Sequence, residues 1–264
     1  KRRNKDAAGG KGPGEDFFDQ LVRLHQVYAV GFSDPNWAAQ VRGEGASTST
    51  PSHRQRFIDL AREQLSASAI DSMLSAKQFS RVWDELVGIL KQTNLVPAAQ
   101  LKLKFVGAEQ ERTLAAAVRE LLHGSTPYNQ RFDRYLSAFA AAFNQPAKWE
   151  LATAPAAIVS PREHICVELT TFRKQLKLLG TRRAIATQPS SADYTLLLAN
   201  AQLIAKKLGE QGEAPRDLLD IRDFIVLTLK PPSKAAAAPR PRAKAAARAP
   251  SEADDDIADD DQSE

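Results

Sequence analysis

WELATAPAAIVSPREHICVELTTFRKQLKLLGTRR, Trp149–Arg183, decides how this chain is read. From Trp149 to Val159 the stretch is apolar, rich in small residues and interrupted by Pro155, which predicts a short helix in a crowded interior. Ser160 and Pro161 break it. His164-Ile165-Cys166-Val167 is short and rich in β-branched residues and reads as one extended segment. Thr170 or Thr171 is then placed to cap a helix that runs through Leu179 and stops at Gly180. One extended segment does not make a sheet, so the region predicts an all-α fold.

Periodicity on both sides extends that reading. Upstream, Asp16 is a fit N-cap for a helix with Phe17, Phe18, Leu21, Leu24, Val27 and Tyr28 on its apolar face, ended by Gly31. Phe32-Ser33-Asp34-Pro35-Asn36-Trp37 reads as a turn whose two aromatics pin it to a core. Residues 42–52 form a polar loop. A second helix is expected from Ser52 to Asp71, and a third, capped by Ser75, carries Phe79, Val82, Trp83, Leu86, Val87 and Leu90 as a 3.6-period stripe. A fourth is expected from Ala108 to His123 with Gly124 as a left-handed C-cap. A fifth, capped by Thr126 ahead of Pro127, places Phe132, Tyr135, Leu136, Phe139 and Phe143 on one side. Downstream, helices are expected from Ala192 to Leu208 and from Pro215 to Leu229, where Pro231 and Pro232 forbid continuation. Helix, short turn, helix is the pattern of a multi-helix, bundle-like single domain of about eight or nine helices over residues 15–229, with at most one short extended segment.

Charge is distributed unevenly along the 264 residues. In the expected flexible basic arm 1–14, Lys1, Arg2, Arg3, Lys5 and Lys11 against Asp6 leave +4. The expected disordered Ala/Pro/Arg/Lys tail 230–250 carries Lys230, Lys234, Arg240, Arg242, Lys244 and Arg248 and no acid, and the acidic tail 251–264 carries eight carboxylates. Of the formal +4 of the whole chain, the body keeps only +2. Against that near-neutral body, Glu168 to Asp193 encloses Arg173, Lys174, Lys177, Arg182 and Arg183 with no acid between them. Cations near a helix C-terminus complement its dipole, and a basic patch joined to basic arms is the electrostatic layout that holds a polyanion.

Catalytic signatures are missing. The single Cys166 excludes an intramolecular disulfide and any multi-cysteine metal site, and fits a reducing compartment. His25, His53, His123 and His164 share no metal-ligand spacing, and His164 beside Cys166 lacks a third orienting group. Asp217, Asp220 and Asp223 recur every three residues, as a Mg²⁺-holding cluster would, but Arg216 pairs with Asp220 at helical spacing and Arg222 adjoins them. No GxxxxGK[ST], GxGxxG or GxSxG motif occurs. No catalytic residue, metal, cofactor or small-molecule substrate is read from the sequence, nor any membrane span or signal-peptide layout.

The body resembles an uncharacterised family of bacterial helical proteins through GFSDPNW at Gly31–Trp37, KQTNLV at Lys91–Val96, the stretch Trp149–Arg173 and PRDLLDIRDFI at Pro215–Ile225. The chain departs from that family's pattern at Glu168-Leu169, where Lys-Pro is usual, and at Val226, near which a tryptophan is usual. The resemblance implies a fold type and no activity.

The functional expectation is a non-enzymatic, bacterial, cytoplasmic protein that associates with DNA or a DNA-handling complex. Its expected nucleic-acid-binding residues are Arg173, Lys174, Lys177, Arg182, Arg183, Arg240, Arg242 and Lys244. The alternatives are a protein-protein interaction module with solubilising tails and, third, a metal-dependent nuclease.

Overall fold

The computed structural model describes residues 16–44 and 54–229. The arm 1–14, the tails 230–250 and 251–264, and most of the polar loop 42–52 lie outside them. The described residues form eleven α-helices, two 3₁₀ turns and one π-helical turn, with no strand. In chain order the helices are α1 (Phe17–Val27), α2 (Pro35–Trp37), α3 (Arg54–Gln64), α4 (Ala67–Ser75), α5 (Phe79–Lys91), α6 (Ala108–His123), α7 (Tyr128–Phe143), α8 (Trp149–Val159), α9 (Leu169–Leu178), α10 (Ser191–Glu210) and α11 (Leu218–Leu229). The all-α class is therefore correct.

The quoted stretch supplies the interior. Every residue of α8 except Glu150 is buried. Pro155 forfeits one backbone bond inside α8, while neighbours α3 and α6 hold the helix in place. The segment after it is neither helix nor strand: Ile165, Cys166 and Val167 are fully buried, and the Thr153 hydroxyl accepts the Val167 amide at 2.9 Å while donating to Trp149 O at 2.7 Å. Trp83, Phe139, Phe143 and Phe105 form an aromatic group where α5 meets α7.

α1 is fixed at its start. Asp16 accepts the Asp19 amide and Asp19 accepts the Asp16 amide, a reciprocal capping box. Its inward face differs from the one expected. Phe18 is 60% and Val27 55% exposed, while Gln20 is buried, because the Gln20 amide donates to Gln175 of α9 (2.7 Å) and to the Thr228 hydroxyl of α11 (2.8 Å). A buried polar group satisfied this way costs little, so it takes the position an apolar residue was expected to hold. As expected, Trp37 is buried, edge-on to Tyr28 and Phe32.

Several boundaries differ from expectation. The helix expected over Ser52–Asp71 is two helices, because the Ser66 hydroxyl accepts the Ala69 amide at 3.2 Å and starts α4. Ser75 ends α4 instead of capping α5; the turn between them passes through Lys77 at φ 55°. Gly124 is extended at φ −70°, not left-handed, and Thr126 caps nothing. α9 begins at Leu169, one residue before the first of the two expected caps. α11 begins at Leu218, with Asp217 accepting the Leu219 and Asp220 amides.

Candidate functional site

Gly180 at φ +75° shapes the basic region. The Gly180 amide donates to Lys177 O (3.1 Å) and the Thr181 amide to Leu176 O (2.9 Å), the paired bonds of a Schellman cap on α9. Residues 181–187 then run as a strap towards α10, whose first turn is capped by Ser190. The strap is tied down at three points: Arg173 Nε and Nη2 both donate to Ile185 O, the Trp149 indole donates to Ala186 O at 3.1 Å, and the Ala186 amide donates to Asp193 Oδ2 at 3.1 Å. Cap and anchors leave a depression of ≈ 690 Å³ with a floor of Leu176 and Ile185 and a rim that includes Arg173, Lys177, Arg182 and Arg183.

The five expected cations of the body part company here. Lys177 and Arg182 are exposed and have no partner among the described residues. Arg173 is spent on Ile185 O. Arg183 Nη2 donates to Asp193 Oδ1 at 2.9 Å. Lys174, expected in the same basic patch as Arg173 and Lys177, instead donates to Leu229 O at the end of α11 and does not line the depression. One residue along a helix turns a side chain by about 100°, which separates Lys174 from Arg173 and lets it reach a carbonyl at the end of α11. Arg240, Arg242 and Lys244 lie outside the described residues.

Asp217, Asp220 and Asp223 do not form an open carboxylate cluster. Arg42 Nη2 lies 2.8 Å from Asp217 and 2.7 Å from Asp220, and the Trp37 indole donates to Asp220 at 3.1 Å. Asp223 receives Arg54 through two nitrogens, at 2.9 and 3.1 Å, and Arg222 at 2.7 Å. The expected Arg216–Asp220 side-chain pair is replaced: the Arg216 guanidinium meets Glu44, and only its backbone amide reaches Asp220, at 2.8 Å. Burial raises the pKa of Asp220 against the opposing pull of Arg42. Burial would raise Asp223 too, but Arg54 and Arg222 override it and hold that carboxyl below its ordinary range. Among the described residues, no group of three or more His, Cys, Asp or Glu is arranged to hold a metal.

Cys166 is fully buried, its thiol within 3.7 Å of Leu95 O and Glu150 O, and burial pushes its pKa up to about 11. His164 stacks on Tyr128 with ring centroids 4.0 Å apart and contacts the Tyr194 hydroxyl through Nδ1 at 3.2 Å; burial first, then Arg131, lowers its pKa to about 4. A protonated thiol beside a stacked imidazole is core packing, not an activated nucleophile. His123 contacts Leu65 O and His25 pairs with Glu213.

Two features had no local signal in the sequence. Arg54 lies 169 residues from the Asp223 carboxylate it fills, Arg42 is further still from Asp217 and Asp220, and the strap is anchored because Trp149 and Asp193 both reach Ala186. No described helix is long and apolar enough to cross a membrane. A scan against protein-family models, a search of curated proteins and a search of solved structures each return no match to this chain.

Proposed function

We propose that this chain is a non-enzymatic, bacterial, cytoplasmic protein that associates with DNA, or with a DNA-handling complex, by neutralising phosphates. One observation carries the reading: the α9 cap and the strap gather a cationic rim around one depression, and Lys177 and Arg182 on that rim have no acidic partner among the described residues. The arrangement offers charge and an apolar floor but no ordered row of donors that would read base edges, so binding by the body is independent of sequence. The cations of residues 230–250, Arg240, Arg242 and Lys244 among them, add to the same charge.

A salt titration of the full chain on duplex DNA tests this. Each neutralised phosphate contributes about −0.9 to the slope of log affinity against log salt, so the two unpaired cations on this rim supply about −1.8. Lys177→Gln with Arg182→Gln removes that share and leaves the contribution of the tail. Absence of binding at low salt, or a slope near zero, sinks the proposal.

A second reading has its own observation. Phe18 and Val22, one turn apart on α1, are 60% and 55% exposed, an apolar stripe suited to a protein partner. Partner recovery that survives removal of 230–264 and is lost in Phe18→Ser with Val22→Ser favours it.

A further inference from the structure

We infer that Asp193 acts as a built-in competitor for phosphate at this surface, cutting the share of Arg183 in polyanion binding until that carboxylate loses its charge. The inference rests on the DNA reading above and concerns how that same site is regulated.

Asp193 is the first acid after Glu168, and it sits where it can close off the acid-free stretch. Its two oxygens do different work. Oδ2 accepts the Ala186 amide and so holds the strap, while Oδ1 accepts Arg183 Nη2 at 2.9 Å. The carboxylate is almost buried, with 8% of its side chain exposed, whereas 56% of the Arg183 side chain is exposed. An ion pair with one partner so open to solvent exchanges readily. Only one nitrogen of the Arg183 guanidinium is engaged, and phosphate offers the same planar fork a better, two-point partner. The geometry is thus that of a cation parked on an internal carboxylate at the edge of a binding depression.

Its partners make the site separable by mutation. Asp193→Asn removes the charge but keeps a side-chain oxygen to accept the Ala186 amide, so the strap stays in place. Asp133 provides a matched control: it accepts the Ser191 amide (3.2 Å) and hydroxyl (2.7 Å) at the same end of α10. Asp133→Asn changes the net charge by the same amount without freeing an arginine.

The test compares salt titrations of the full chain on short mixed-sequence duplex DNA. Asp193→Asn is expected to steepen the log–log slope by about 0.9, which is an affinity gain about 3.5-fold larger at 50 mM than at 200 mM salt. Adding Arg183→Gln to that variant returns the slope to the wild-type value. In the wild-type background Arg183→Gln flattens the slope by less than half as much as Lys177→Gln. Asp133→Asn steepens the slope by less than half as much as Asp193→Asn. If Asp193→Asn leaves the slope unchanged, matches Asp133→Asn, or keeps its gain without Arg183, the competitor idea is overturned. So it is if Arg183→Gln flattens the wild-type slope as much as Lys177→Gln. Each of those results leaves DNA association itself standing. Failure of the wild-type chain to bind, by contrast, removes the DNA reading and the competitor together.

Discussion

The α11 carboxylates and the α9 cations look alike as text, each a run of like charge at helical spacing, yet the fold puts them to opposite uses. Asp217, Asp220 and Asp223 turn inward and are met by Arg42, Arg54 and Arg222. Lys177 and Arg182 turn outward and meet no acid among the described residues. Charge spacing along a helix therefore says which residues share a face; only the partners brought from elsewhere say whether that face is structural or available. A buried ionic group left without its partner is costly, while a solvated one is nearly free to change.

The largest effect that tests this contrast is expected at Asp220. Asp220→Ala strands the Trp37 indole and leaves the buried Arg42 with Asp217 as its one remaining carboxylate, with an expected loss of about 3 kcal/mol in urea unfolding. A loss under about 1 kcal/mol would break the contrast from the buried side.

The pH dependence separates the two inner carboxylates. Asp223 has a depressed folded pKa, so below the ordinary carboxylate value the unfolded chain binds more protons than the folded one. Its contribution to stability is present above the unfolded pKa and is lost as pH falls through the folded pKa. Asp220 is raised and acts with the opposite sign, favouring the folded state as pH falls through its elevated pKa. Asp223→Asn should therefore flatten the acid limb of stability against pH, whatever it does to stability at neutrality. An unchanged acid limb would show that Arg54 does not hold Asp223 ionised.

A smaller loss is expected at Gly31, whose φ of +58° favours glycine and where an added methyl group would collide with the Glu213 carboxylate. That carboxylate accepts the Phe32 amide at 3.2 Å and pairs with His25 at 2.7 Å. Gly31→Ala should cost about 1–2 kcal/mol by thermal unfolding. Least of all, Lys177→Gln and Arg182→Gln should each leave unfolding within about 0.5 kcal/mol of wild type. A larger loss at either would mean that the outer cations are structural as well.

Where the sequence was legible, a single local force dominated. The α5 stripe of Val82, Trp83, Leu86, Val87 and Leu90 is buried as its period predicts, and α6 begins and ends where expected. α8 was readable because a helix apolar on every side has only one place to go. Legibility failed where two local signals competed or a distant partner decided. Ser66 split an apolar period that continued across it, since a cap is a single hydroxyl among many in the sequence. Gln20 displaced Phe18 from the interior because Gln175 and Thr228 await it 155 and 208 residues on. For the candidate site, the acid-free stretch coincides with the depression but does not say which of its cations line it: Lys174 reaches α11 instead, and Asp193 holds Arg183.

The Gln20–Gln175–Thr228 bonds join the first, ninth and last helices, and Arg23 reinforces them by donating to Thr228 O at 2.6 Å. During synthesis, α1 leaves the ribosome about 200 residues before the helix that completes its seat. At about 5–20 residues per second it waits some tens of seconds with Leu24 and Gln20 uncovered. The last turns of α11 therefore act as the closing clasp of the body. A chain interrupted before Leu218 would leave α1 without its seat on α11, a natural target for chaperones and proteases.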